Sequence, residues 1–197
     1  MGSRVDFYSS PLERRSVIPH GGSASEAGGD TALVIAAQAG DRSAFGQLYH
    51  RYARMVHGIL LARVPPTDVD DLVHDVFLLA LRQLHALRDA ALFGGWLAAI
   101  ARNRTRDYYR RSREAVELTE DVSGRGEERH PAPSATAEAA RVLAAIRSLP
   151  EAYRETLILR LVEGMTGPEI AERTGLTPGS VRVNLHRGMQ QLRDKLG

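Results

Sequence analysis

The chain has 197 residues, of which 43% are hydrophobic, and its 26 Lys and Arg against 24 Asp and Glu give a formal net charge of +2. That length fits one large or two small domains. The absence of cysteine excludes disulfides and thiolate chemistry and suits a cytoplasmic protein, and no apolar run approaches the ~20 residues of a membrane span or the core of a signal peptide. Lys195 is the only lysine, so arginine carries nearly all the positive charge. Arginine forks onto phosphate and guanine, although a GC-rich genome produces the same bias.

Residues 1–29 are rich in Ser, Gly and Pro without a sustained apolar period, and read as a disordered tail. From Asp30 the pattern turns helical. Leu33, Ile35 and Ala36 begin a short helix that Gly40-Asp41 ends. A second helix carries Phe45, Leu48, Tyr52, Met55, Val56, Ile59 and Leu60 at spacings of three and four, and Pro65-Pro66 stops it. The third runs from about Asp68 to His85 on Leu72, Val73, Val76, Phe77, Ala80 and Leu84. The fourth starts near Gly94-Gly95 and ends near Arg113.

Residues 114–134 form an acidic, Gly- and Pro-rich linker. Helices resume at about 135, with Val142, Leu143, Ile146 and Leu149 on one face, Pro150 as a break, and Tyr153, Leu157 and Leu161 on the next. No segment alternates like a strand. The expected fold is all-α: two small helical domains at 30–113 and 135–197, joined by a flexible linker.

The last third reads as a helix-turn-helix, in which the second helix enters the DNA major groove. Thr166 and Glu169 have capping-box spacing, Pro168 falls in the first turn, and Gly175 suits a left-handed turn. Thr177 caps the second helix and Pro178 opens it. Val181, Leu185 and Met189 form its buried stripe, leaving Arg182, Asn184, His186 and Arg187 on or near the outer face. An ordinary antiparallel helix pair with a solvated basic side is the competing reading.

The fourth helix is the second signal. Arg102, Arg104, Arg106, Arg110, Arg111 and Arg113 stand against one acid, Asp107, with Tyr108 and Tyr109 among them and Phe93 and Trp96 upstream. Arginines that hold a backbone and flat rings that stack on bases suit a single-stranded nucleic acid. Trp96 fits the core and a base contact equally well, and the arginine run also suits a solvated helix end. The third helix is acidic at its start. Capping explains Asp68 and Asp70, while Asp71, His74, Asp75 and Leu78 form either a solvated face or a dock for a basic protein. No phosphate loop, zinc motif or nucleophile elbow is present, so an enzyme, a cofactor and a metal site are not expected.

Taken together these segments resemble bacterial RNA polymerase sigma factors. Asp70–Phe77, DDLVHDVF, is similar to the family's EDLVQETF segment. FGGWLAAIARNRTRDYYRRSR is similar to FRAWLYRIARNLAIDRLRR, and LPEAYRETLILRLVEGMTGPEIAERTGLTPGSVRVNLHRGMQQLRDKL to the C-terminal domain. The two-domain length resembles the extracytoplasmic-function (ECF) group, which keeps only regions 2 and 4.

The resemblance implies a transcription initiation factor that binds core RNA polymerase through its β and β′ subunits, with Asp71, His74, Asp75 and Leu78 docking on β′. It implies that the loop around Leu87–Phe93, with Trp96, Asn103, Arg104, Arg106, Asp107, Arg110 and Arg111, reads and melts the −10 promoter element. Arg182, Asn184, His186 and Arg187 would read the −35 element, with phosphate held near Thr166. A separate anti-sigma factor is the implied regulator. Departures from the pattern are Val183-Asn184 and Gly188-Met189 in the recognition helix, and Gly167-Pro168 before it. The competing function is a helix-turn-helix transcriptional regulator that binds duplex DNA without joining a polymerase.

Overall fold

The computed structural model describes residues 25–118 and 134–197, and every regular element among them is helical. The α-helices are α1 (Ser25–Gln38), α2 (Arg42–Leu61), α3 (Val69–Gln83), α4 (Phe93–Leu118), α5 (Ser134–Arg147), α6 (Glu151–Leu161), α7 (Gly167–Thr174) and α8 (Pro178–Leu196). Short 3-10 turns at Pro66–Asp68, Leu84–Ala86 and Ala90–Leu92 join the elements on either side of α3. The all-α expectation holds.

Two boundaries differ from the sequence reading. Helix α1 begins at Ser25, inside the expected tail, and runs through Gly28-Gly29 despite their poor helix propensity. Tertiary anchors compensate, because the Asp30 carboxylate accepts a hydrogen bond from the Tyr52 hydroxyl (2.8 Å) and pairs with Arg51. Helix α4 continues past Arg113 to Leu118, into the expected linker. The tail at 1–24 and the linker at 119–133 lie outside the described residues.

Local chemistry sets the remaining ends. The Asp41 side chain accepts from the Ser43 and Ala44 N–H groups and caps α2. Pro65-Pro66 prevents its continuation. Asp68 sits at the N-cap of α3 but makes no side-chain cap, contrary to expectation. Its carboxylate accepts instead from the Tyr108 and Thr67 hydroxyls.

Helix α2 is the centre of the molecule. Its first half buries one stripe, Ala44, Leu48 and Tyr52, whereas Met55, Val56, Gly58, Ile59, Leu60 and Leu61 are all buried. A helix that is apolar all round must be covered all round. Helices α1, α3 and α4 cover one side of α2, and α6 and α7 pack against the other. Helix α6 has the same character: Glu155, Thr156, Leu157, Ile158 and Leu159 are consecutive and buried, between α2 and α8. The two sequence-defined halves therefore pack together, and one apolar cluster runs through both.

Candidate nucleic-acid interface

Helices α7 and α8 form the helix-turn-helix, with each punctuation residue in its expected role. The Thr166 hydroxyl accepts from the Glu169 N–H (3.4 Å), and the Glu169 carboxylate accepts from the Thr166 N–H (2.7 Å). Burial pushes the Glu169 carboxyl up, but the Thr166 hydrogen bonds outweigh it and hold it below the usual carboxylate range. Both polar groups of Thr166 are thus engaged by Glu169. Gly175 ends α7 at φ +74, the left-handed conformation that a side chain resists. The Thr177 hydroxyl accepts from the Ser180 N–H (3.1 Å) and caps α8.

On α8, Val181 is buried, while Leu185 and Met189 are partly buried against the core. Arg182, His186 and Arg187 are exposed. Asn184 is half-buried and lines a cleft with Arg63, Arg102, Glu151 and Glu155. Three of the expected −35 residues thus stand free on the outer side, while the fourth turns toward the other half of the chain.

Helix α4 sorts its residues by face. Leu97, Ala98, Ile100 and Ala101 are buried, whereas Asn103, Arg106, Arg110 and Arg111 are exposed and Asp107 is half-buried. Arg110 pairs with Asp107 (3.1 Å), one turn back. Phe93 departs from its expected role. It is 1% exposed, packed edge-on against Tyr52 (5.1 Å between centroids) and tilted against Trp96 (5.8 Å). The register of α4 that exposes the arginines turns this ring inward, so it offers no face to a base. Trp96 is half-buried, serving the core on one side and open on the other.

The tyrosines are tethered. The Tyr108 hydroxyl donates to Asp68, which together with burial and the Asp68 charge pushes its pKa up to about 12. The Tyr109 hydroxyl donates to the Arg63 carbonyl, and the two rings meet edge to face at 5.2 Å.

On α3, Asp71, His74 and Leu78 are exposed and Asp75 is half-buried. Leu81, also exposed, extends this face beyond the residues expected from sequence. Asp75 pairs with Arg104, so one residue from each expected surface is tied to the other. The Arg104 side chain is 17% exposed, and its Nε is buried without a hydrogen-bond partner. Among the described residues, no cluster of His, Asp or Glu is arranged to hold a metal ion, and no helix is long and apolar enough to cross a membrane.

One constellation escaped the sequence reading. Glu155, buried in α6, receives Arg63 from the end of α2 (2.6 Å) and Arg102 from α4 (2.7 Å). Burial pushes the Glu155 carboxyl up, but the Arg102 hydrogen bond and the charges of both arginines outweigh it and hold it low. Burial likewise pulls the Arg102 guanidinium down, and Glu155 more than restores it. The sequence signal was an acid at an inward helical position ahead of Leu157-Ile158-Leu159.

Comparison with known proteins matches both halves of the chain. The family model for Sigma-70 region 2 matches residues 48–115, and that for Sigma-70, region 4 matches 139–192. The RNA polymerase sigma factor NccH of Alcaligenes xylosoxydans xylosoxydans is 34% identical over 83% of this chain and 92% of its own. The ECF RNA polymerase sigma factor BldN of Streptomyces coelicolor is 34% identical over 81% of this chain, which spans 63% of that longer protein. The solved structure of CnrH in complex with the cytosolic domain of CnrY matches with a TM-score of 0.58 and 31% identity, covering 85% of this chain and 96% of that one. Both family models and these relatives agree: the chain belongs to the ECF RNA polymerase sigma factors.

Proposed function

We propose that the chain joins core RNA polymerase as its specificity subunit and directs it to promoters with −35 and −10 elements. It is an initiation factor rather than an enzyme, works in the cytoplasm and uses no cofactor. The observation that carries this reading is the pair of family matches, one on the arginine-faced α4 and one on the helix-turn-helix. On α8, Arg182, His186 and Arg187 read the −35 duplex in the major groove, with Asn184 joining once it is uncovered. On α4, Asn103, Arg106, Arg110 and Arg111 hold the −10 strand, and the open side of Trp96 supplies a stacking surface. Capture of unstacked bases offsets the few kcal/mol of unpairing.

Asp71, His74, Asp75 and Leu78 form the polymerase-facing side of α3, an acidic rim around an apolar centre that suits a basic, partly apolar helix pair on β′. An anti-sigma factor is the proposed regulator. In support, the structure of CnrH, 31% identical to this chain, holds that protein in complex with the cytosolic domain of CnrY.

The test mixes the purified chain with core polymerase and a promoter library. Specific initiation that depends on the chain supports the reading. Duplex binding without polymerase engagement replaces it with that of a conventional DNA-binding regulator.

A further inference from the structure

Thymine is the base whose major-groove edge carries an apolar group, the C5 methyl. One side chain on the outer face of α8 has only apolar atoms to set against it. Val183 is 43% exposed, and among the described residues of α8 it is the one large apolar side chain left open to solvent. Isolated exposed apolar residues are ordinary on proteins. The position of this one on its helix is not.

At ~100° per residue, Val183 stands at the middle of the exposed side. Gln190 lies ~20° and His186 ~60° to one side of it, and Arg187 ~40° to the other; all three are exposed. Arg182 and Asn184 lie on the two flanks, each ~100° away. The buried residues Val181, Gly188 and Leu192 fall on the opposite side. A recognition helix that enters the major groove with its N-terminal turns foremost therefore presents Val183 to the base edges and its flanking polar side chains to the walls of the groove.

Neither local structure nor packing accounts for valine there. A β-branched residue suits a solvated helix position poorly, because its χ1 is restricted against the preceding turn. The apolar core is built without it. The same stiffness favours recognition, since two methyl groups are held in place with little rotamer freedom to lose on contact. One turn earlier, Gly179 leaves the helix surface bare: a Cβ there would meet only the Thr177 hydroxyl, at 4.0 Å. The first turn of α8 is thus free to come close to a duplex. Val183 is also a point at which the recognition helix departs from the family pattern.

Resting on the sigma-factor reading, we propose that Val183 is a specificity-determining residue of the −35 contact and packs its methyl groups on the C5 methyl of a thymine. Valine has no donor or acceptor, so it takes no part in the hydrogen-bond code of the groove and gains nothing from a phosphate. Adenine and guanine present polar atoms to it, and cytosine an amino group without the methyl. Covering those groups with valine leaves them unpaired. Preference for thymine therefore comes from contact with the right base and from exclusion of the others. Four residues of helix rise about 6 Å and successive base pairs about 3.4 Å, so the thymine lies within about two base pairs of the contact made by Arg187.

The test removes one methyl group from the DNA. Core polymerase carrying the chain first selects bound duplexes from a library randomised over the −35 region. Each thymine of the selected element is then replaced by deoxyuridine, which keeps the O4 acceptor and the base pairing and lacks only the C5 methyl. At one thymine the replacement weakens binding about fourfold, the worth of a methyl-sized group withdrawn from water. That thymine falls within about two base pairs of the position whose preference Arg187→Ala relaxes. At the same position 5-methylcytosine binds better than cytosine. Val183→Ser binds the thymine and uracil duplexes equally.

The uracil comparison is made on the unaltered chain, so a folding defect in the serine variant does not touch it. A selected element without thymine, equal binding of thymine and uracil at every position, or a methyl effect that persists in Val183→Ser overturns the proposal. A polymerase that selects no upstream sequence with the chain strikes instead at the sigma-factor reading.

Discussion

Arg104 of α4 is ion-paired with Asp75 of α3, and the two ends of that pair sit in different dielectric surroundings. The arginine side chain is 17% exposed and the aspartate 44%. Removing one partner is therefore not equivalent to removing the other. Asp75→Ala strands a mostly buried guanidinium whose Nε already lacks a partner, at a cost of about 1–3 kcal/mol. Arg104→Ala leaves a carboxylate that water reaches, at a cost of about 0.5–1 kcal/mol. Urea denaturation of both variants checks the order; equal midpoints refute the asymmetry.

Phe93 separates stability from DNA contact. Its ring is enclosed by Tyr52 and Trp96, so Phe93→Ala costs about 3–5 kcal/mol of folding stability. Phe93→Leu keeps most of the volume, and the folded variant binds a single-stranded −10 oligonucleotide as the parent does. A selective loss of that affinity with stability intact makes Phe93 a base contact after all.

The Tyr108–Asp68 hydrogen bond predicts a late phenol titration. With its pKa raised to about 12, Tyr108 adds stability that is fully present below the ordinary tyrosine value of about 10 and is lost as pH rises toward 12. NMR of ring-labelled tyrosine resolves this residue, and Asp68→Ala returns it toward about 10. An unmoved Tyr108 titration in that variant rules out the hydrogen bond as the cause.

The capping box gives a prediction of opposite sign. Glu169 is held below its ordinary value, so its contribution is present above about pH 4.3 and fades as pH falls through the lowered folded value. Thr166→Ala removes the cap at about 1 kcal/mol and flattens that acid limb. Thermal melts at pH 7 and pH 3.5 measure both; an identical pH dependence in parent and variant argues against the box.

On α8, Arg182→Ala and Arg187→Ala each cost about 1–3 kcal/mol of −35 binding where the arginine grips a base bidentately, and relax sequence preference there. Competition with scrambled duplexes distinguishes this from a loss uniform across sequences, which marks a phosphate contact.

Punctuation and period carried most of the fold into the sequence. Thr166, Glu169, Gly175 and Thr177 act within a few residues of themselves, so their roles were legible without any tertiary knowledge. The start of α1 was not, because Gly28-Gly29 argue against a helix locally and the anchors that keep it, Arg51 and Tyr52, are about twenty residues away. The burial of Phe93 was hidden for a related reason. Aromatic composition marks a helix as a stacking surface, but only the register against α2 decides which rings point out. Glu155 was invisible as a site because its partners lie in another half of the chain, and an isolated acid in an apolar helix looks like noise until Arg63 and Arg102 are placed beside it.

Leu159 is shared property: fully buried, and pressed against a bare stretch of α2 backbone at Gly58. Any motion that lifts α6 away uncovers both surfaces to water, at ~25 cal/mol for each Å² of apolar area. Parting α6 from α2 thus costs free energy in proportion to the apolar area uncovered, and exposes backbone that proteases reach.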